Sequence, residues 1–278
     1  MANITATEVN NLRKQTGAGM MDCKKALVEN DGDIEKAIDY LRKKGQKLAD
    51  KRADKEANEG YIVAKTNDSK NFASVLTINC ETDFVAINHD FIGFCNSIAD
   101  KAIEHQVKSI DDLKATDLNG RTVEESLTDM VGKIGEKIQL TKYDYVDAPR
   151  VFAYNHQGNK LATIMGLSKN EVENIDQIGH EVNMQIAAMN PVAIDKNDVD
   201  PAIIEKEIAI GKEQARLEGK PEELIEKIAM GKLNRFYKDN TLLNQDFVRE
   251  NKKSIRQFLV ENDKDLTVTK FARLQLGS

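Results

Sequence analysis

The sequence predicts an α+β protein: an N-terminal bundle of three helices, then a duplicated body of two small antiparallel sheets with helices, carrying an inserted antiparallel helical hairpin. Three observations predict it. Apolar residues recur at helical spacing over residues 5–44. Two β-hairpin patterns, beginning at Tyr61 and Val151, are each followed by an amphipathic helix and a later strand. Two further apolar stripes, separated by Gly219-Lys220-Pro221, interrupt the second repeat.

The first domain spans residues 1–45. Thr5 and Glu8 form a capping box for a helix that buries Val9 and Leu12. The Gly17-Ala18-Gly19 turn breaks it. Met20, Cys23, Ala26 and Leu27 give the second helix one apolar face; adjacent Met20 and Met21 cannot both face one core, so one is exposed. Asp33 caps the third helix, in which Ile34, Ala37, Ile38 and Leu41 recur before Gly45. Residues 46–58 are charged, Ala-rich and without an apolar stripe. They read as a solvated helical linker that would make the bundle a tether.

The first half of the body is 59–148: strands 61–65 and 72–78 about a turn at 67–70, a helix at 91–106 and a closing strand at 138–146. The second half is 149–278, with strands 151–155 and 161–167, a helix at 172–189 and a closing strand at 266–276. Its insertion occupies 200–238. Asp200 caps and Pro201 opens a helix striped by Ile203, Ile204 and Ile208; Leu224, Ile225 and Ile228 stripe the next. So short a loop demands antiparallel neighbours resembling a short coiled coil. The hairpin either projects and offers its stripe to a second copy of the chain or to another protein, or lies flat on the body.

At 278 residues with 31% charged and 40% hydrophobic residues, the composition is that of a globular chain. No run of about 18 apolar residues suits a membrane, and the N-terminus carries no export signal, so the expected location is the cytoplasm. The three cysteines share no metal-ligand spacing and read as reduced and packed. Net charge is −6, split as +2 over residues 1–58 and −8 over the remainder, which argues against direct nucleic-acid binding. His89, His105, His156 and His180 form no metal pattern, and no phosphate-binding glycine loop exists. These absences predict no cofactor and no metal, and a protein that acts by binding rather than as an enzyme.

Ile78-Asn79-Cys80-Glu81-Thr82-Asp83-Phe84-Val85-Ala86-Ile87-Asn88 is the most informative stretch. It reads as a helix N-cap, with Thr82 or Asp83 capping and Phe84 and Val85 packing inward, or as a contact surface. Its Thr82-Asp83-Phe84-Val85 core resembles a hallmark of elongation factor Ts, and Leu12-Arg13, Thr16-Gly17-Ala18-Gly19-Met20 and Cys23-Lys24-Lys25-Ala26-Leu27 resemble the family's other hallmark. Lys133-Ile134-Gly135-Glu136, Tyr154-Asn155-His156 and Phe271-Ala272-Arg273 extend the resemblance.

The resemblance implies a ubiquitin-associated-like (UBA-like) fold for the bundle. It implies a guanine nucleotide exchange factor of translation elongation, whose partner is elongation factor Tu, GDP-bound and nucleotide-free. Carried over, Asp83 and Phe84 intrude near the partner's Mg²⁺ and phosphate-binding elements, with Thr82 and Val85 shaping the turn. Ile134 and Gly135 contact the same partner domain; Arg13, Met20 and Met21 grip a partner helix; His156 meets another partner domain. A non-catalytic scaffold explains the bundle and hairpin but leaves Asp83-Phe84 without a use, and an RNA-binding role is disfavoured by charge.

Overall fold

The computed structural model describes residues 4–277; residues 1–3 and 278, at the ends of the first and last expected domains, lie outside the described residues. In chain order the elements are α1 (Ala6–Thr16), α2 (Met20–Glu29), α3 (Ile34–Lys51), β1 (Glu59–Thr66), β2 (Phe72–Cys80), α4 (Asp83–Ala86), α5 (His89–Glu104), α6 (Ile110–Ala115), α7 (Val123–Ile134) and β3 (Gln139–Asp147). The second half continues with β4 (Arg150–Asn155), β5 (Leu161–Leu167), α8 (Ile175–Met189), α9 (Pro201–Leu217), α10 (Glu222–Asn240), β6 (Asp246–Phe247), β7 (Glu250–Ser254), α11 (Ile255–Asn262) and β8 (Val268–Gln275). The class is mixed α+β with small antiparallel sheets.

Local chemistry sets the helix ends. Thr5 accepts the Glu8 N–H, and the Glu8 carboxylate accepts the Thr5 N–H at 2.8 Å. Gly17, at φ 69°, closes α1 with its N–H on the Arg13 carbonyl. Val9, Leu12, Cys23, Ala26, Leu27 and Ala37 form a small core. Met20 and Met21 both stay out of it, 54% and 75% exposed, where the sequence placed Met20 on the buried face. They open α2 ahead of its first buried residue, Cys23, so neither is covered by α1 or α3.

The expected linker is the largest departure from the sequence reading. Gly45 does not end α3, which runs on to Lys51. Gly45 is buried against Gly132 of α7, and a Cβ on Gly132 would lie 3.1 Å from the Gly45 Cα. Leu48 and Ala49, one turn on, pack against the core of the first half. Leu41, Gly45, Leu48 and Ala49 keep helical spacing. A glycine belongs to such a stripe when its neighbour is another backbone.

The chain divides into two compact units: residues 1–63, 76–144 and 274–278, and residues 64–75 and 145–273. The N-terminal bundle therefore belongs with the first half of the body, and the tip of the β1–β2 hairpin with the second, unlike the expected boundaries. The sheets repeat one plan, in the orders β1-β2-β3 and β4-β5-β8: a hairpin joined by a later strand. β4 and β5 are antiparallel, with Phe152 opposite Met165.

In the first unit Phe91, Cys95 and Ile98 of α5, Leu76 and Ile78 of β2, and Leu127 and Val131 of α7 share one core. In the second, Ile178, Val182 and Ile186 of α8 pack with Met165 and Leu167 of β5. Gly179 seats the Phe152 ring, whose atoms would lie 2.2 Å from any Cβ there.

α9 and α10 close on each other where a Cβ on Gly211 would sit 3.2 Å from the Ala229 Cα. Ile225, Ala229 and Leu233 are buried, whereas Leu224 of the expected stripe is exposed. The hairpin's base is tied by the Val192 N–H donating to the Asn240 carbonyl at 2.8 Å. The sequence reading did not contain α6, α7, α11 or the β6–β7 ribbon.

Candidate functional site

β2 ends at Cys80, a buried thiol that donates to the Thr82 carbonyl at 3.2 Å. Burial, with the charges of Glu136 and Glu59 adding, pushes this thiol up to about 12, so it stays protonated and structural. Thr82 is then extended, and its Oγ1 accepts the Val85 N–H at 3.4 Å as the N-cap of α4. Val85 and Ala86 turn toward the core. Phe84 does not: it is 79% exposed, and Ile87, three residues on and hence on the same face, is 72% exposed. Asp83 is exposed beside them. The N-cap reading thus holds for Thr82 and Val85 and fails for Phe84. Asn88 restarts the helix, its side chain accepting the Asp90 and Phe91 N–H groups at 2.9 and 3.3 Å, and buried Phe91 anchors α5.

Two carboxylates hold the base of this turn. Gly135, in the left-handed region at φ 89°, caps α7 with its N–H on the Val131 carbonyl. The chain then presents Glu136 to the motif. One Glu136 oxygen accepts the N–H groups of Glu81 (3.1 Å) and Thr82 (3.0 Å); the other accepts the Thr82 hydroxyl (2.7 Å). In return the Glu81 carboxylate accepts the Lys137 N–H at 2.6 Å and bonds the Arg52 guanidinium at 2.8 Å. Burial pushes the Glu81 carboxyl up, but those two donors outweigh it and hold it below the ordinary carboxylate range. The Lys137 ammonium donates to the carbonyls of Ala53 and Lys55. Ile134, half-buried on the core, and Gly135 therefore adjoin Thr82–Val85.

The bundle reaches the same place. Gly17 leaves room for the Lys133 side chain, whose carbons would lie 3.1 Å from a Cβ. The Lys133 ammonium pairs with Asp90 of α5 at 2.8 Å and, by that hydrogen bond, holds the Asp90 carboxyl below its usual range. Thr16, Ala18 and Asp22 line a cleft of about 440 Å³ with Ile134 and Gly135. Arg13 is exposed one turn before Gly17. Arg13, Met20, Met21, Ile134, Gly135 and the Thr82–Val85 turn thus all belong to the first unit.

His156 belongs to the second unit, exposed in the β4–β5 turn. Its Nδ1 meets the Tyr154 hydroxyl at 2.8 Å, and the Tyr154 ring stands edge-on to His180 of α8 at 6.3 Å. Asn155 is a strut: its side-chain amide bonds both the N–H and the carbonyl of Ala64, at 2.8 and 2.9 Å.

Sequence reasoning missed Arg52, quoted Glu81 and Glu136 only as parts of longer motifs, and read Lys137 as a family contact position, so the clamp they form was not foreseen. Their partners lie 29 to 84 residues away, so no local spacing marks them. Among the described residues no group of three or more His, Cys, Asp or Glu is placed to hold a metal, and no helix is long and apolar enough to cross a membrane.

A family model described as elongation factor TS matches residues 81–278. The chain is 50% identical over 277 residues to the elongation factor Ts of Christiangramia forsetii, covering 100% of both. It is 49% identical over 279 residues to that of Cytophaga hutchinsonii, again covering 100% of both. Against that of Chlorobium phaeobacteroides it is 40% identical over 288 residues, with 100% of both chains covered. With identity at that level over the full chain, and the Thr82–Val85 motif inside the matched region, the chain belongs to the elongation factor Ts family.

Proposed function

We propose that this chain is a guanine nucleotide exchange factor that works in the cytoplasm on elongation factor Tu during translation elongation. It acts by protein–protein binding and performs no covalent chemistry. One observation carries the reading: Phe84 and Ile87 stand 79% and 72% exposed on a turn whose base is clamped by hydrogen bonds. Large apolar side chains held outward on a fixed frame suit insertion into a partner.

The physics of exchange needs no more than differential binding. In such GTPases a backbone cradle, a Lys and Mg²⁺ hold the nucleotide by its phosphates. A partner that binds better once these are displaced shifts the population toward nucleotide release. Phe84 is the wedge and Asp83 the acceptor of partner hydrogen bonds, with Thr82 and Val85 fixing the turn. Ile134 and Gly135 extend the same contact. Arg13, Met20 and Met21 add a grip on a partner helix, and His156, set by Tyr154, meets another partner domain. The GDP-bound and the nucleotide-free partner are both bound, the second more tightly.

The test is release of labelled GDP from elongation factor Tu with and without the chain. Acceleration at substoichiometric chain is expected; a rate unaltered at saturating chain overturns the proposal.

A further inference from the structure

We infer that Glu136 is the positioning residue of the Phe84 turn: its carboxylate, cross-linking two segments of the first unit, sets the angle at which Phe84 is presented. The inference rests on the exchange reading and adds to it a residue that need not touch the partner.

α4 is a single turn, too short to hold itself, because its two helical hydrogen bonds, from Ala86 to Thr82 and from Ile87 to Asp83, do not repay the ordering of its residues. Phe84 on it and Ile87 at its C-cap face water, which favours collapse onto the core. Something outside the helix must therefore hold the chain entering it. Glu136 does so with both carboxylate oxygens turned one way, onto the two amides and one hydroxyl immediately before Asp83. These are charge-assisted bonds in a half-buried setting, the stronger kind. The hydroxyl bond has a second effect. Thr82 has one hydroxyl hydrogen; donating it to Glu136 leaves only lone pairs for the Val85 N–H. Glu136 thereby makes Thr82 an obligate N-cap acceptor. The carboxylate is itself aimed by the left-handed Gly135 behind it and by the Lys137 N–H bonded to Glu81 in front.

Glutamine separates charge from shape. In Glu136→Gln one oxygen can still take the two amides. The new NH₂ group then donates to one lone pair of Thr82 Oγ1, the other lone pair can still accept the Val85 N–H, and the turn keeps its shape while losing the charge on its bonds. Alanine removes both functions.

The experiment compares wild type, Glu136→Gln, Glu136→Ala, Phe84→Ala and the double variant Glu136→Ala/Phe84→Ala as full chains. Amide hydrogen exchange of the free proteins reads the turn directly. Protection at Thr82 and Val85 should fall in Glu136→Ala while the α5 amides, held by buried Phe91, keep theirs. In GDP release, Glu136→Ala should lower the maximal rate roughly tenfold, the scale of one or two charge-assisted hydrogen bonds, with Glu136→Gln between it and wild type. In the Phe84→Ala background the same change should cost nothing further. Equal protection in Glu136→Ala and wild type overturns the inference, and so does a loss that adds fully to that of Phe84→Ala. A wild-type chain that releases no GDP defeats the exchange reading instead, leaving the exchange protection to decide the positioning role. If Glu136→Ala fails to fold, Glu136→Gln carries the same comparison.

Discussion

Gly132 has no space for a side chain because Gly45 occupies it: a Cβ on Gly132 would lie 3.1 Å from the Gly45 Cα, and one on Gly45 would lie 3.3 Å from the Thr128 carbonyl. The two glycines set how closely α3 crosses α7, and with it where the N-terminal bundle sits within the first unit. Both forgo helix propensity worth about 1 kcal/mol each. Gly132→Leu should therefore destabilise the unit despite its better propensity, by about 1–3 kcal/mol as overpacking does. Gly45→Ala, with the milder contact, should lie near neutral. Thermal unfolding of both variants checks the order.

The same crossing changes what removal of residues 1–50 should do. A tether would leave the body as stable as before. Here Leu48 and Ala49 leave the core of the first half and the Gly132 face of α7 is uncovered. The truncated chain should melt below the intact one and bind elongation factor Tu more weakly. An unshifted melting temperature would return the bundle to the role of a tether.

Glu81 gives a pH dependence with a definite sign. Its folded carboxyl is held below the ordinary value near 4.3. Its contribution is thus complete above that value and disappears as pH falls through the lowered folded one. Glu81→Gln should cost about 1–2 kcal/mol at pH 7, where a charge-assisted bond to Arg52 is lost. The cost should vanish in strong acid, so the variant's stability falls less steeply below pH 4. Chemical denaturation at a series of pH values reads this directly; parallel curves would show that the charge is unimportant.

Phe84→Ala should leave stability nearly unchanged, since the side chain is mostly in water. Its effect belongs to coupling. Partner and nucleotide oppose each other reciprocally, with about 1–3 kcal/mol typically at stake. Affinities of wild type and variant for nucleotide-free and GDP-bound elongation factor Tu should differ by a smaller ratio in the variant. Equal losses in both states would make Phe84 a plain anchor.

The α9–α10 hairpin should be dispensable to the second unit. Its buried residues Gly211, Ala215, Ile225 and Ala229 lie outside that unit's central cluster, and its base is already tied by Val192 and Asn240. Replacing residues 201–238 with a short Gly-Ser loop should preserve one cooperative transition. Aggregation or a broadened melt would place the hairpin in the core.

What the sequence alone determined is what neighbours in the chain decide. Thr5 and Glu8 mark the start of α1, Asp200 and Pro201 the start of α9, and the hairpin patterns mark β2 and β5, because caps, turns and periodicities act over a few residues. The Thr82–Val85 motif was legible as a turn and by resemblance. The tertiary structure decided the rest. Gly45 reads as a stop until Gly132 faces it, since a glycine's role depends on which backbone approaches. From its neighbours alone Phe84 reads as either core or contact surface, and the turn that holds it outward decides between them. The holding is done by Glu136, Glu81 and Arg52, whose partners come from distant segments. Hydrogen bonds between such segments depend on where the chain returns, and no local pattern records that.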